Sequence, residues 1–252
     1  MGPGTLAEEA VAPFLGGRFG APYLYERECE STQALLLDSG LPEGAVAVTE
    51  HQRGGRGRHG RRWVAPPGTS VLASILLRPP RDRPVPELSL VAALAVAEAI
   101  NEATGSSAQV KWPNDVLLEG RKVAGILAEL RGSTVVVGIG VNVNQSDADL
   151  PSDAPTPPGS LRAITGAVHD RAALLGSILV RLEDRYDVWR TGGLAALHGE
   201  IEARDFLRGR RVSVDGSEVT ARRILPDGRL EIETDGGELR SLHSGEVLLG
   251  RA

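Results

Sequence analysis

The chain has 252 residues, is 41% hydrophobic and 24% charged, and carries a net charge of −5, a globular composition without the global positive charge that nucleic-acid binding favours. Its one cysteine, Cys29, excludes an internal disulfide framework and a cysteine zinc cage, which fits a reducing, cytoplasmic setting. No run of about 18 apolar residues marks a membrane span, the early Glu8-Glu9 pair argues against a secretory signal, and of 28 basic residues only Lys111 and Lys122 are lysine.

In chain order, residues 1–20 are punctuated by glycine and proline and read as a lead-in or short helix. A strand is expected at 23–28, and Ser31-Thr32 stands where a helix N-cap belongs, ahead of 34–37. Residues 45–50 (AVAVTE) read as a short strand. Residues 51–69 are rich in glycine, arginine and proline and form a long loop, a type that in compact domains is functional or disordered. Residues 69–77 form another strand, and 87–102, rich in Ala, Leu and Val, form a buried helix.

Three closely spaced strands follow at 109–112, 122–130 and 134–144; small residues in the last, Gly138 and Gly140, point to a closely approaching ligand or backbone. Residues 145–160 are acidic and proline-rich and read as an exposed connection. Helices are expected at 171–189 and 194–203. After residue 205 come short strands at 211–214, 218–224, 229–233, 238–242 and 246–249, parted by turn pairs such as Asp215-Gly216, the pattern of a small β-barrel. The expected organisation is an α/β or α+β domain at 1–204 and a β module at 205–252.

Gly55-Arg56-Gly57-Arg58-His59-Gly60 matches G-x-G-x-x-G, but a dinucleotide fingerprint needs a helix next, and Pro66-Pro67 prevent one. The segment reads better as an anion clamp. Glycines let backbone N–H groups approach a ligand, Arg56, Arg58, Arg61 and Arg62 offer planar guanidiniums, and Trp63 is placed to pack over it. A solvated basic loop and an RNA-binding loop stay open as alternatives. In Lys111-Trp112-Pro113-Asn114-Asp115, Pro113 forces a turn and leaves Asn114 and Asp115 just past the bend. Lys122 opens a strand in which strict alternation puts Lys122 and Ala124 on one face, Val123 and Gly125 on the other. His59 reads as a solvated loop residue, Cys29 as a packed small hydrophobe and Trp189 as helix packing.

Taken together, Ser31-Thr32, the 52–63 stretch containing GRGRHGR, KWPND at 111–115, RKVAGIL at 121–127 and GIGVN at 138–142 resemble a biotin protein ligase. The strand-rich module after 205 is similar to the family's SH3-like C-terminal domain. The resemblance spans about residues 23–250 and implies an α+β fold: a mixed-sheet, class II synthetase-like biotin–lipoate ligase domain followed by that module.

The implied activity is activation of biotin by ATP, with Mg²⁺, to biotinyl-5′-AMP and pyrophosphate, then transfer to one lysine of a biotin carboxyl carrier domain of a biotin-dependent carboxylase. Biotin contacts carried over are Ser31, Thr32 and Gln52 at the ureido end, the Gly55, Arg56, Gly57, Arg58 loop, Trp63, Lys122, Gly125, Leu127, Gly138 and Gly140. Nucleotide contacts are Arg56, Arg58, Lys111, Asn114, Lys122 and Asn142. Lys122, Arg58, Lys111 and Asp115 carry the chemistry, Asp115 being open to two roles, metal ligand or orienter of a lysine.

The segment before the first predicted strand is too short for the DNA-binding domain of bifunctional members, so a monofunctional ligase without DNA or membrane partners is expected, as monomer or homodimer. Gly159-Ser160-Leu161 departs from the family's Thr-Ser-Leu and weakens the inferred contact there. The rival readings are a lipoate or octanoate ligase or transferase, and a non-catalytic biotin- or RNA-binding protein.

Overall fold

A computed structural model describes residues 4–249; residues 1–3 and 250–252, the outer ends of the two expected domains, lie outside the described residues. Helix α1 (Glu8–Val11) precedes strand β1 (Tyr23–Glu26), helix α2 (Thr32–Leu36) and strands β2 (Val46–Thr49) and β3 (Ser70–Leu77). Helix α3 (Glu87–Thr104) leads to β4 (Gln109–Lys111), β5 (Asp115–Leu118), β6 (Arg121–Arg131) and β7 (Thr134–Asn142). Helices α4 (Leu161–Thr165), α5 (Arg171–Gly192) and α6 (His198–Glu202) come before β8 (Arg211–Val214), β9 (Ser217–Ile224), β10 (Leu230–Glu233), β11 (Leu239–Leu242) and β12 (Val247–Leu249).

The first seven strands form one sheet in the order β1-β2-β3-β7-β6-β5-β4, parallel between β1 and β2 and antiparallel elsewhere. β3 is buried along its whole length because both of its faces are covered. Val71, Ala73, Ile75 and Leu77 join the main core with α3 and α5, whereas Leu76 joins a smaller cluster with Leu36 of α2. β7 follows the same period of two: Val135, Val137, Ile139 and Val141 enter the main core, and Gly138, Gly140 and Asn142 border the cleft on the other side. α5 is fixed at its start by Asp170, whose carboxylate accepts from the N–H groups of Ala172 and Ala173. α3 ends on Gly105 in the left-handed conformation, φ 70°.

Strands β8 to β12 form an antiparallel sheet in the order β11-β10-β9-β8-β12, the SH3-like module. Asp215 (φ 49°) and Gly216 (φ 80°) close the two-residue β8–β9 turn, the left-handed pair that such a hairpin requires. The module is docked by backbone and side chain: the Val110 N–H donates to Arg204 O (2.8 Å), the Phe206 N–H to Val110 O (2.9 Å), and the Trp112 indole to Gly228 O (2.8 Å).

Two sequence expectations need correction. β5 was not anticipated: residues 115–118 pair with β4 and β6 instead of continuing the turn. Residues 145–160 are not wholly an exposed connection. Thr156 is buried, Pro157 O accepts from the Lys122 N–H (2.7 Å), and the Gly159 N–H donates to Lys122 O (2.8 Å), so this strap is pinned to the edge of the cleft.

Candidate active site

The cleft floor is the glycine-bearing face of β6 and β7. A Cβ on Gly140 would lie 2.6 Å from the Trp63 ring, and one on Gly138 would lie 3.0 Å from the Gln33 side chain. Any larger residue would displace these groups, so glycine is required by close approach. At the level of Gly138, paired with Ser74, lies a polar cluster. Gln52 Oε1 accepts from the Thr32 N–H (2.9 Å) and hydroxyl (3.2 Å), and the Thr32 hydroxyl shares a hydrogen bond with the Ser74 hydroxyl (2.7 Å). Gln33 donates to the carbonyls of Leu127 (3.1 Å) and Val136 (3.4 Å), fixing α2 onto both strands.

Lys122 reaches this face through an irregularity. Register shifts between Val116 and Leu117, so that Val116 faces Ala124 while Leu117 faces Lys122, and Val123 is the extra residue of a β-bulge. Val123 and Ala124 both enter the main core. Lys122 and Gly125 share the cleft face: a Cβ on Gly125 would meet the Lys122 ammonium at 3.4 Å. The expected alternation, with Lys122 beside Ala124 and opposite Gly125, is therefore overturned, because the bulge inverts the parity of the strand.

The Lys122 ammonium lies 2.6 Å from Asp115 Oδ1, an ion pair without hydrogen-bond alignment at that oxygen, and 5.9 Å from the centre of the Trp63 ring. Lys111 is 5% exposed and donates to Val247 O (2.8 Å); burial pushes its pKa down, partly opposed by Asp115. Arg58 makes long contacts to Asn114 Oδ1 (3.3 Å) and Gly245 O (3.4 Å), and burial lowers its pKa also. Asn114 donates to Ile126 O (2.8 Å), and Asn142 to Gly159 O (3.0 Å). Arg56 pairs with Glu129 (2.6 Å) and Arg61 with Glu246 (2.5 Å), tying the glycine–arginine loop to β6 and to the C-terminal module.

One cavity of about 210 Å³ gathers Thr32, Gln52, Arg56, Gly57, Arg58, Trp63, Lys111, Asn114, Asp115, Lys122, Gly125, Leu127, Gly138, Gly140 and Asn142. Ser31 and Gly55 do not line it. Ser31 is buried at the N-cap of α2 behind Thr32, and Gly55 supports the loop: its carbonyl accepts from the Trp63 N–H (2.9 Å), and a Cβ there would meet Trp63 O at 2.5 Å. His59, at φ 58°, is exposed and borders the cleft. Cys29 is packed, and Trp189 stacks on Tyr186 with centroids 5.7 Å apart.

Sequence reasoning missed Gln33 and Ser74, for which the available signal was polar residues inside the apolar runs TQALLL and LASILL. It also missed residues 245–248, which wall the cleft. Two of these act through backbone oxygens, for which no side-chain signal exists. Among the described residues no three His, Cys, Asp or Glu side chains form a metal cage, and Asp115 and Glu246 are the carboxylates lining the cleft.

The site thus joins a narrow glycine-floored slot with a polar end to a cluster of cations, and the fold around it is that of the class that attaches biotin- or lipoate-type acids to proteins. The Biotin/lipoate A/B protein ligase family matches residues 26–146. The bifunctional ligase/repressor BirA of Bacillus subtilis is 34% identical over 98% of this chain and 80% of the relative. The biotin–[acetyl-CoA-carboxylase] ligase of Mycobacterium tuberculosis is 37% identical over 82% of this chain and 79% of its own length. The solved biotin protein ligase of Aquifex aeolicus in complex with biotin and ATP superposes with a TM-score of 0.81 at 32% identity, covering 91% of this chain and 98% of that one. The chain belongs to the biotin protein ligase family.

Proposed function

We propose that the cleft activates biotin with ATP and passes the biotinyl group to one lysine of a biotin carboxyl carrier domain of a biotin-dependent carboxylase. The observation that carries this reading is the convergence of Lys122, Lys111 and Arg58 at one end of a glycine-floored slot whose other end presents Thr32, Gln52 and Ser74. Such a slot suits a fused-ring acid, with polar groups for the ureido end and cations for the carboxylate.

In the first step a biotin carboxylate oxygen bonds to the α-phosphorus of ATP, the α–β bridging P–O bond breaks, and pyrophosphate leaves. Two anions meet in this step, and Lys122 and Arg58 offset their repulsion, most strongly where charge builds on the transferring phosphorus. Mg²⁺ would be held by Asp115 together with the ATP phosphates and would help to neutralise phosphate charge, because hard cations of this kind use one or two carboxylates plus phosphate. In the second step the carrier amine attacks the acyl carbon and AMP leaves.

Arg56, Gly57, Arg58 and Trp63 cover the anhydride against water. Asn114 and Asn142 face the nucleotide. Ser31 and Gly55 support Thr32 and the loop without touching biotin. The division of labour is between the domain up to residue 204, which holds the slot, and the module after it, whose residues 245–248 wall its cationic end.

The test is pyrophosphate release with biotin present and absent, with labelled biotin and labelled lipoate each offered alongside its carrier domain. Biotin-dependent release and label on the biotin carrier are expected. Lipoate transfer without biotin transfer would overturn the reading.

A further inference from the structure

A biotinyl-adenylate is a mixed anhydride, and every unprotonated amine that meets it in solution is a rival acceptor. The amine nitrogen attacks the acyl carbon, an amide C–N bond forms, the C–O bond to phosphate breaks, AMP leaves with the bonding electrons, and the nitrogen gives a proton to water. Lysine supplies such an amine; arginine does not, because its guanidinium is delocalised and stays protonated.

This chain has 28 basic residues and only two lysines. Its exposed positive charge is carried by arginine, as at Arg131 and Arg240, with side chains 64% and 59% exposed. Neither lysine is offered to solvent as a free amine. Lys111 is 5% exposed and its ammonium is spent on Val247 O. Burial does raise its neutral fraction, which favours attack, but the same burial closes the approach to the nitrogen. Lys122 is 29% exposed and its ammonium is held by Asp115 at 2.6 Å, inside the cleft rather than on the outer surface.

We propose that the side chains of this protein are inert toward any acyl-adenylate that escapes the cleft: the escaped intermediate acylates lysines of other proteins and neither lysine of this chain. The idea takes its intermediate from the ligase reading, but its test does not depend on catalysis. Synthetic biotinyl-5′-AMP is added to the full chain mixed with serum albumin, and biotinylated side chains are located by peptide mapping.

Label on albumin lysines and none on Lys111 or Lys122 is expected. Arg131→Lys and Arg240→Lys, surface changes outside the cleft lining, should each gain label at the substituted position. Label on Lys111 or Lys122 in the native chain overturns the proposal. So does absence of label at positions 131 and 240 of the variants while albumin is labelled, because scarcity of lysine would then not be what spares the protein. Absence of biotin-dependent pyrophosphate release, measured separately with biotin and ATP, counts against the ligase reading alone.

Discussion

Lys122 owes its position to its neighbour Val123. Without the extra residue, a period of two would carry the ammonium to the core side of β6, away from Asp115. The segment RKVAGIL offers no proline, asparagine or glycine at the bulge itself, so its parity was not legible, although the lysine and both flanking motifs were. Lys122→Arg keeps the charge but replaces a compact ammonium by a planar fork in a slot bounded by Asp115 and Trp63. Biotin-dependent pyrophosphate release should fall on the order of 10²-fold, comparable to removal of one transition-state donor; native turnover would remove Lys122 from its role. Gly140→Ala places a methyl group 2.6 Å from the indole. Overpacking of this kind costs about 1–3 kcal/mol, so biotin titration should show roughly tenfold weaker binding, with a shifted tryptophan emission.

At the scale of elements, the long periodic segments were legible: α3, α5, β3, β7 and the hairpin strands of the C-terminal module all lie close to where apolar spacing and turn pairs put them. β5 was not, because four residues after a proline turn carry too little periodicity. The 145–160 segment reads as exposed because acidic and proline-rich composition speaks of solvent, whereas backbone groups of Pro157 and Gly159 find partners on Lys122. The α3–α5 contact holds Glu87, whose carboxylate accepts from the Trp189 indole at 2.6 Å and whose pKa burial raises.

A carboxyl group with a raised folded pKa keeps its proton longer in the native state. Stability from this group is present below the ordinary range near about pH 4.3 and is lost as pH climbs through the folded value. Glu87→Gln keeps an acceptor and removes the titration, so its Tm relative to the native chain should rise between about pH 4 and pH 7; a constant offset would contradict the assignment. The 53–62 loop should lose protease cutting when the adenylate is bound, since closure over an anhydride is its proposed task. Equal cutting with and without ligand would count against that task.

For the molecule as a whole, the C-terminal module is wedded to the chemistry. Trp112, Lys111 and Arg58 all donate to carbonyls of residues 228–247, and Val110 pairs with the connecting backbone. Calorimetry should show both sheets melting in one transition, and Trp112→Phe, which orphans Gly228 O, should lower stability by roughly 1–3 kcal/mol in that single transition. Two separable transitions would mean that the contacts do not couple the sheets. The architecture of this module was legible from its turns, but its part in the cleft was not, since backbone oxygens leave no trace in residue type.

The bond from Lys111 to Val247 spans 136 residues and therefore has a history. On the ribosome the glycine floor, the arginine loop and both lysines emerge well before the carbonyl that receives Lys111, and domains fold from the N-terminal side as they emerge. A nascent chain holds a cleft lacking one wall, with an ammonium still seeking its acceptor. The arrival of β12 both ends that search and completes the chamber. The cleft is thereby complete only once the last cleft-lining strand has been made.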